Sequence, residues 1–512
     1  MTVIIPAWSR DALKLADNPI VKLAQLFSHH QLDTELLLLQ PLPWLRYQLQ
    51  QNHLSALDWW NVYDDIQHVH RPSGLPLGLE DLNLPQGTEF AYVGATVLLY
   101  REGRVRGTVH FHPAGFVSRV DLLNDLGQRV LKVYDDRGFC STQTTYSLRN
   151  HRIETLWFDP NGAVVMRRKD TPEVQLLDAS GQVTSTYDSL EALLTERVMA
   201  HLKDRHDLII SAANPVTAEI LTVIARQHRL AYLLDTRVAP TLPDDLFGAV
   251  ERVVAPTEQM AAKFQQVNAN LDTPVDVVSP YATKLALGNS TELPETTIAW
   301  AVNHLSASAQ VLVGRQLVNW LVQDDQHVIS VIATSKVSAD RLAQQFKQQI
   351  LSTATIDADS ADGRLIDLVL YQLAHHQPLT GLGTQIPKEL QTVISQIQRV
   401  QVRYRVSDHD REAILSSARL LIDLGDIPDL QLQIAAISAG IPQINRVATG
   451  YVADQQNGRI VAHLDELPQA LDYYLATLIH WNQSLVKSIG FLEQLAEPKL
   501  LAYWKGVMTH GK

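Results

Sequence analysis

Residues 435–444 read AAISAGIPQI, and this stretch decides which fold the surrounding chain can adopt. Its first half has the small and apolar residues of a buried helix, Gly440 suits the left-handed position that ends a helix, and Pro442 cannot continue one. The chain then runs directly into Gln443 and Ile444, which predict a short strand. A helix that passes within a few residues into a buried strand is the repeating unit of a parallel α/β sheet.

Short apolar strands separated by helices continue on both sides of this stretch, and they indicate parallel sheets with both faces covered. One series is predicted at residues 298–302, 328–332, 401–406, 420–424 and 443–444. An earlier series is predicted at residues 3–5, 35–39, 208–211, 231–234, 253–254 and 275–278. Two long amphipathic helices are predicted at about residues 465–481 and 485–505. The pattern therefore predicts two Rossmann-like domains.

Between these series, from about residue 88 to residue 187, apolar and polar residues alternate. Four segments begin with Asp or Asn and end three residues later with Gly, which suits a tight turn closed by a left-handed residue. They lie at residues 124–127, 135–138, 159–162 and 178–181. The pattern predicts an antiparallel meander inserted into the first Rossmann-like domain.

These patterns divide the chain into five segments. We expect residues 1–87 and 188–290 to form the first Rossmann-like domain, and residues 88–187 to form the inserted antiparallel β domain. Residues 291–482 are expected to form the second Rossmann-like domain. Residues 483–512 are expected to form a C-terminal helix that crosses back to the first domain.

Composition and charge exclude several classes of function. The 512 residues carry a net charge of −12, so a nucleic-acid backbone would be repelled on average. Cys140 is the only cysteine, so no internal disulfide can form, which fits a reducing compartment. No apolar run approaches the ~20 residues that span a bilayer, and the first residues lack the basic lead of a secretory signal. We expect a cytoplasmic protein whose membrane contact, if any, is peripheral, at the inner face of the cell membrane.

The stretch at residues 435–444 resembles the Glu-Ala-x-Ala-x-Gly-x-Pro-x-Ile element of retaining GT-B glycosyltransferases, in which the Glu binds the nucleotide ribose. Here that position is Ala435. Such enzymes carry a second Glu eight residues earlier, which contacts the donor sugar, and this position is Ile427. Asp426, Asp429 or Gln433 could substitute, although a shorter side chain one position away would miss the tolerance of positioned catalysis.

The same enzymes place Arg and Lys after the first strand of the second domain, where they neutralise the departing diphosphate. Residues 303–309 of this chain read NHLSASA, so Asn303 follows the strand, His304 takes the Arg position and Ala309 takes the Lys position. No Arg or Lys lies between Lys284 and Arg315. Losing such charges removes several kcal/mol of transition-state stabilisation. We therefore expect no catalytic residues in this chain.

Other motifs carry less weight. Residues 506–512 (GVMTHGK) match most of a P-loop but have no preceding strand and no following helix, so the match is interpreted as chance. The glycines of GLG at 381–383 lack the third glycine of a dinucleotide fingerprint. The histidines at 29–30, 110, 112 and 375–376 lack a converging set of three or four ligands, so we expect no metal ion and no cofactor.

Trp8 follows the first strand directly. At the carboxyl end of a strand it could stack on a sugar ring, or it could be a half-buried packing residue. The sequence leaves both interpretations open.

Five stretches together are similar to one family, the first of the three Asp components of the accessory Sec system. They are residues 4–8 (IIPAW), 43–47 (PWLRY), 62–66 (VYDDI), 134–139 (YDDRGF) and 433–445 (QIAAISAGIPQIN). The resemblance implies an α/β fold with two Rossmann-like domains in GT-B arrangement and an inserted antiparallel β-meander domain. It also implies a non-catalytic protein that assembles with two other Asp components and the accessory SecA motor, binds glycans, and helps to export glycosylated serine-rich repeat adhesins.

Three functions remain open from the sequence. The first is this non-catalytic binding and targeting subunit. The second is an active transferase that adds hexosamine to Ser or Thr of the adhesin, with Asp426 or Asp429 as an unorthodox donor-site carboxylate. The third is a glycan-binding chaperone whose meander sheet holds the substrate, since exposed sheet edges pair readily with extended segments.

Overall fold

The computed structural model describes residues 1–6, 8, 18–70, 73–205, 207–212, 218–236, 246, 248–269, 273–377, 386–404 and 406–509. The chain divides into two compact units. Unit 1 comprises residues 1–254, 264–276 and 508–512, and unit 2 comprises residues 255–263 and 277–507. No helix among the described residues combines the length and the apolar character needed to cross a membrane.

Unit 1 contains a parallel sheet of seven strands. They are β1 (Thr2–Ile5), β2 (Thr34–Leu38), β3 (Asp58–Asn61), β14 (Leu208–Ala212), β15 (Arg229–Leu233), β16 (Arg252–Ala255) and β17 (Val275–Val277), and they lie in the order β17-β16-β15-β14-β1-β2-β3. The helices are α1 (Pro19–His29), α2 (Leu45–Gln51), α3 (Val62–Ile66), α4 (Leu190–His201) and α5 (Ala218–Gln227), and α6 (Glu258–Val267) follows β16. The predicted strands are confirmed to within two residues. Sequence patterns miss strand β3, because Trp59 and Trp60 lie in a short segment that resembles the start of a linker.

The second sheet of unit 1 is the predicted meander. Ten antiparallel strands lie in simple chain order, each paired with the next. They are β4 (Glu89–Val93), β5 (Thr96–Arg101), β6 (Arg104–Phe111), β7 (Val117–Leu123), β8 (Arg129–Tyr134), β9 (Cys140–Tyr146), β10 (Arg152–Phe158), β11 (Val164–Lys169), β12 (Val174–Leu177) and β13 (Val183–Tyr187).

The four predicted turns have the expected geometry. Gly127, Gly138, Gly162 and Gly181 have φ between 73° and 89°, which is the left-handed region. Each of these glycines donates its N–H to the carbonyl of the Asn or Asp three residues earlier, at 2.9–3.0 Å. The Asn or Asp and the Gly of each turn therefore form the hydrogen bond and the left-handed conformation that their spacing predicts.

A buried ionic network joins the meander to the first Rossmann-like segment. Arg137, in the turn between β8 and β9, is 4% exposed and binds both oxygens of Asp64 in α3, at 2.7 and 2.8 Å. It also binds both oxygens of Asp135, at 2.7 and 2.8 Å. Arg46 in α2 donates to Asp136 at 2.9 Å. Three of the stretches that resemble the Asp family, 43–47, 62–66 and 134–139, thus meet in this contact and hold the inserted sheet in place.

Unit 2 contains a parallel sheet of six strands. They are β18 (Thr296–Val302), β19 (His327–Ala333), β20 (Val400–Tyr404), β21 (Ala418–Asp423), β22 (Gln443–Asn445) and β23 (Gly458–Ile460), and they lie in the order β20-β19-β18-β21-β22-β23. The helices are α7 (Ala307–Leu321), α8 (Lys336–Thr353), α9 (Ala361–Ala374), α10 (Lys388–Gln398), α11 (Asp408–Ser417), α12 (Leu430–Ala439), α13 (Leu467–Leu475), α14 (Leu478–Gln494) and α15 (Glu497–Thr509).

The end of the chain differs from the sequence-based expectation. Three helices, α13, α14 and α15, replace the two that the pattern predicts. Thr477 adopts an extended conformation, with φ −143° and ψ 155°, and this breaks the first predicted helix before α14 begins. Apolar periodicity continues through that break, so the pattern alone cannot place it. The assignment of residues 483–512 to a helix that crosses back to the first domain stays a prediction.

Candidate functional site

The order of the unit 2 sheet fixes where a ligand would bind. Counted along the chain from β18, the strands follow the order 3-2-1-4-5-6 of a doubly wound sheet. In such sheets ligands bind beyond the carboxyl ends of the two strands at which the order reverses. Here these are β18 and β21, so the candidate site consists of the segments that follow Val302 and Asp423. We call this region the switch-point site.

The two segments approach each other closely. A Cβ atom on Gly425 would lie 2.2 Å from the carbonyl oxygen of Asn303, so only glycine fits at this position. The N–H of Asp426 points to the carbonyl of His304 at 3.4 Å. His304 is exposed and has φ 45°, which turns the chain from β18 toward α7. The predicted site residues of both segments are therefore brought together.

Asp429 is the central residue of the switch-point site. Its Oδ1 accepts from the N–H of Leu432 at 3.1 Å, so it caps the first turn of α12. Its Oδ2 accepts from the side-chain amide of Asn303 at 2.8 Å. Its own N–H donates to Oδ2 of Asp423 at 2.8 Å. The first two bonds fix the carboxylate in place, and the third fixes the backbone of Asp429. The helix cap also occupies a backbone N–H group at the start of α12 that an anionic ligand would need.

Asp423 lies beneath Asp429 at the end of β21, and the sequence analysis did not single it out. It is 2% exposed and accepts a second hydrogen bond, from Nε2 of Gln433, at 2.8 Å. Burial, with the negative charge of Asp429 as the next cause, raises the pKa of Asp423 to about 7. The carboxyl is therefore protonated to a greater extent near neutral pH than an ordinary Asp. In the sequence Asp423 lies inside the predicted strand 420–424. A single polar residue near the end of an apolar run was the only sign of its role.

Gln433 is fully buried and is held on both sides. Its Oε1 accepts from Oγ1 of Thr449 at 2.8 Å, and its backbone carbonyl accepts from Nε2 of Gln443 at 2.8 Å. Together with the bond to Asp423, these contacts leave the side chain no freedom to reach a donor sugar. Gln433 positions Asp423 instead.

Asp426 forms an ion pair that the sequence analysis did not foresee. Its Oδ1 lies 2.9 Å from Nη1 of Arg446, and the two side chains are 72% and 38% exposed. Arg446 follows β22, the strand next to β21. A cation therefore reaches the switch-point site from outside residues 303–309, the segment in which GT-B enzymes carry Arg and Lys. The available signal was its position directly after the AAISAGIPQI stretch. Because the guanidinium is paired, it offsets Asp426 rather than adding free positive charge.

The two positions at which GT-B enzymes carry Glu are apolar in the folded chain. Ile427 is half-buried in the segment before α12, and Ala435 is half-buried on α12 beside the apolar cluster that includes Leu432 and Ala436. No carboxylate occupies either position. The neighbouring acidic residues that could have replaced them are engaged in the contacts described above.

A further polar side chain lies at the end of β22. Asn445 is opposite Asp423 in the parallel register. Both amide atoms of Asn445 are buried without a hydrogen-bond partner among the described residues. Buried polar atoms are nearly always hydrogen-bonded, and because Asn445 is 0% exposed its amide is not open to a ligand at the surface of the site.

Electrostatics set the chemistry that the switch-point site can perform. Asp426 pairs with the guanidinium of Arg446, and the contacts of the Asp429 carboxylate described above are with the Asn303 amide and the N–H of Leu432. A diphosphate would meet these carboxyl groups and a helix start already capped by Asp429. Phosphoryl leaving groups need cationic or amide stabilisation in the transition state. The arrangement is suited to hydrogen bonding with neutral polar groups and disfavours a nucleotide diphosphate.

The residues predicted outside the site have varied outcomes. Trp8 in unit 1 is 2% exposed, which favours the packing interpretation, and the stacking of Trp8 on a sugar ring stays a prediction. Gly506 lies inside α15, which excludes a P-loop, while the glycines at 381 and 383 lie outside the described residues.

Burial raises the pKa of Cys140 to about 11, so its thiol is protonated and unreactive at neutral pH.

Comparison with known proteins agrees with the resemblance noted in the sequence. A family model for the first Asp protein of the accessory Sec system matches residues 3–510. The corresponding accessory Sec system protein of Streptococcus gordonii is 26% identical over 520 residues, which cover 98% of this chain and 94% of the relative.

Solved structures give the same picture of the fold. A chain of the Glycosylation Associate Protein (Gap123) complex from Streptococcus agalactiae has a TM-score of 0.73 at 23% identity, and 98% of this chain and 99% of that chain are covered. A chain of the accessory secretory protein 1, 2 and 3 structure from Streptococcus pneumoniae has a TM-score of 0.71 at 21% identity, with 99% and 98% covered. The pneumococcal O-GlcNAc transferase GtfA, in complex with UDP and GlcNAc, has a TM-score of 0.69 at 10% identity, with 99% and 98% covered. The predicted glycosyltransferase-like fold class is confirmed.

Proposed function

The chain belongs to the family of the first Asp protein of the accessory Sec system, and from this premise we propose that it is a non-catalytic, glycosyltransferase-like subunit of the accessory Sec export machinery. In this proposal it binds the two other Asp components, the accessory SecA motor and the glycosylated serine-rich repeat adhesin, and so promotes secretion of the adhesin. It acts in the cytoplasm, with peripheral contact at the inner face of the cell membrane.

The observation that carries the proposal is the acidic switch-point site. Asp429 caps α12 and holds Asn303, while Asp423 lies buried beneath it. Binding sites for anions at the start of a helix depend on unpaired N–H groups and a positive field. Both are reduced here, at the place where a glycosyltransferase must bind and release a nucleoside diphosphate. A chain that keeps this fold while disfavouring the leaving group is suited to binding, not to transfer.

Partner binding is supported by the relatives. Two solved structures with the same fold are those of a Gap123 complex and of accessory secretory proteins 1, 2 and 3. We therefore expect this chain to assemble with two other Asp components. The test is co-purification of the tagged full-length chain from its native cell. Recovery of both Asp components, the SecA motor and the adhesin would support the proposal, and isolation of the chain alone would refute it.

Catalysis is tested separately, with labelled nucleotide sugars and unglycosylated adhesin. The proposal expects no transfer above that of a heat-denatured sample. Turnover that is abolished by Asp426→Ala or Asp429→Ala would instead establish the alternative, an active transferase that adds hexosamine to Ser or Thr. The pairing of Asp426 with Arg446 and the capping role of Asp429 argue against this alternative.

We propose in addition that the switch-point site binds a sugar of the glycosylated adhesin. Asn303 is half-buried and His304 and Asp426 are exposed, so their amide, imidazole and carboxylate groups can reach neutral sugar hydroxyls. Calorimetric titration with N-acetylglucosamine is the test. His304→Ala, at an exposed position of the site, should weaken binding. Equal binding by this variant would exclude the site and would favour the meander sheet as the glycan surface.

A further inference from the structure

The meander sheet has two ends that differ in charge. Because the ten strands follow one another in order, alternate turns lie at the same end of the sheet. The turns after β4, β6, β8, β10 and β12 share one end, and the turn after β8 docks onto the first Rossmann-like segment, where the N–H of Asp136 donates to the carbonyl of Pro43 at 2.7 Å. The turns after β5, β7, β9 and β11 lie at the opposite end, which we call the free end.

Charge is segregated between the ends. The docked end carries four acidic residues and one basic residue within its turns and the two residues on either side of each turn. The free end carries seven basic and four acidic residues by the same definition. The basic residues of the free end, which we call the basic rim, are Arg101, Arg104, Arg129, Arg149, Arg152, Arg168 and Lys169. A cationic edge stands out on a chain with a net charge of −12.

Several cations of the basic rim are available for a partner. Arg101, Arg104 and Arg149 are exposed, and among the described residues their side chains form no hydrogen bond or ion pair. The turns also carry apolar side chains, since Leu126 is 75% exposed and Leu148 is 78% exposed. Large exposed leucines beside unpaired arginines are typical of a binding surface rather than of a merely solvated one.

We propose that the basic rim is a docking surface for an acidic segment of a partner protein that also carries apolar side chains. The four turns are spaced about 10 Å apart and span roughly 30 Å, because neighbouring strands lie ~4.8 Å apart. An extended segment of roughly nine residues covers this length. Its carboxylates would pair with the arginines, and its apolar side chains would contact Leu126 and Leu148. The proposal does not depend on the switch-point site, since it uses none of its residues.

The arrangement of the few acidic residues favours a polypeptide over a lipid surface. Glu102, Asp125 and Asp170 are exposed and lie within the turns themselves, at three of the four tips, whereas Arg101 and Arg104 lie just behind the tip between them. Arg149 is exposed in the turn after β9, so a flat anionic membrane would meet carboxylates at three of the four tips and an arginine at one. A polypeptide can lie across the turns beside the arginines and avoid the tips. Charge complementarity therefore points to an acidic protein segment.

The test compares two double variants of the full chain. Arg104→Glu with Arg149→Glu reverses two charges of the basic rim, and Arg226→Glu with Arg315→Glu makes the same change in net charge at exposed positions in α5 and α7. The probe is a fluorescein-labelled peptide of about nine residues, matched to the rim length, that alternates Glu with Leu and Ser, and its matched control carries Lys in place of Glu. Anisotropy is measured at about 50 mM salt, where surface charges are weakly screened.

We expect the parent chain to bind the acidic peptide and not the basic one, and the rim variant to bind at least tenfold more weakly, with the control variant unchanged. Leu126→Ser with Leu148→Ser should also weaken binding. The proposal is overturned if the parent fails to bind the acidic peptide or if both charge variants lose binding equally. It is also overturned if the rim variant loses binding to phosphatidylglycerol vesicles but keeps binding to the acidic peptide, since the rim would then be a membrane-binding surface. Equal melting temperatures of the variants exclude misfolding.

Discussion

Replacing Arg137 by Met should destabilise unit 1 far more than any exposed charge change in the same sheet. The guanidinium is 4% exposed and makes four hydrogen bonds of 2.7–2.8 Å, two to Asp64 and two to Asp135. Methionine fills a similar volume but leaves both carboxylates unpaired, and Asp135 is only 3% exposed. Removing one partner of a buried ion pair costs about 3–5 kcal/mol. We expect a loss of this size.

Hydrogen exchange measured on peptides is the suitable assay, because a chain with two units does not unfold in a single step. Amides of β8 and β9 should lose protection equivalent to the predicted free energy, whereas those of unit 2 should keep theirs. Arg119→Met is the matched control, since Arg119 is 49% exposed and lies 3.9 Å from Asp121, a pair worth about 1 kcal/mol at most.

A second variant separates charge from packing. Changing Asp64 and Asp135 to Asn together with Arg137→Met leaves none of the three charges in the network, and it should recover much of the lost protection, as replacement of a whole buried ion pair often does. The reasoning is refuted if Arg137→Met costs no more than Arg119→Met. It is also refuted if the triple variant is less stable than the single one, since packing rather than unpaired charge would then dominate.

Three further predictions follow from other contacts. Burial raises the pKa of Asp135 to about 6 from an unfolded value near 3.8, so the folded state binds a proton that the unfolded state lacks. This group therefore makes stability fall as pH rises from about 4 to 6, by up to about 3 kcal/mol. Asp135→Asn should remove that part of the pH dependence in the hydrogen-exchange protection of β8 and β9, followed from pH 4 to 7. Asp429→Asn keeps the cap of α12 but removes one negative charge. With a doubly charged phosphate at roughly 6 Å, the weaker repulsion should tighten UDP binding about tenfold in calorimetry. Unchanged affinity would contradict the electrostatic account of the switch-point site. Gly425→Ala would place a Cβ atom 2.2 Å from the Asn303 carbonyl oxygen and should destabilise unit 2 by about 1–3 kcal/mol in thermal unfolding. Gly490→Ala is the control: the space around Gly490 in α14 is open, so this change should stabilise unit 2 by up to about 1 kcal/mol.

Sequence patterns predicted the fold well wherever a local signal determined the structure. The turn at 135–138 needs a left-handed residue at its last position, and Gly138 supplies it at φ 89°. Apolar strands bounded by polar or Gly residues could be located to within two residues. Strand β23 and the break at Thr477 were missed, because three residues are too few for periodicity and a helix break without Gly or Pro leaves the apolar pattern intact.

The candidate site was predicted less completely, because its character depends on residues that are distant in sequence. The absence of Glu at 427 and 435 is evident from the sequence. The burial of Asp423 and the proximity of Arg446 to Asp426 are not, since both depend on which strands are neighbours in the sheet. For Asp423 the available signal was a single polar residue within the apolar run 420–424, and for Arg446 it was a position two residues after the AAISAGIPQI stretch.

The register of the first sheet imposes an order on folding. Thr2 pairs with Leu208, and the entire meander lies between these two strands in the chain. During synthesis β1 therefore leaves the ribosome long before its partner β14 exists, while each hairpin of the meander can close as soon as its second strand emerges. Contacts of such large sequence separation form late. The inserted sheet is thus expected to be the nucleus around which the amino-terminal half assembles, and until β14 is made the apolar β1 and β2 remain candidates for chaperone capture.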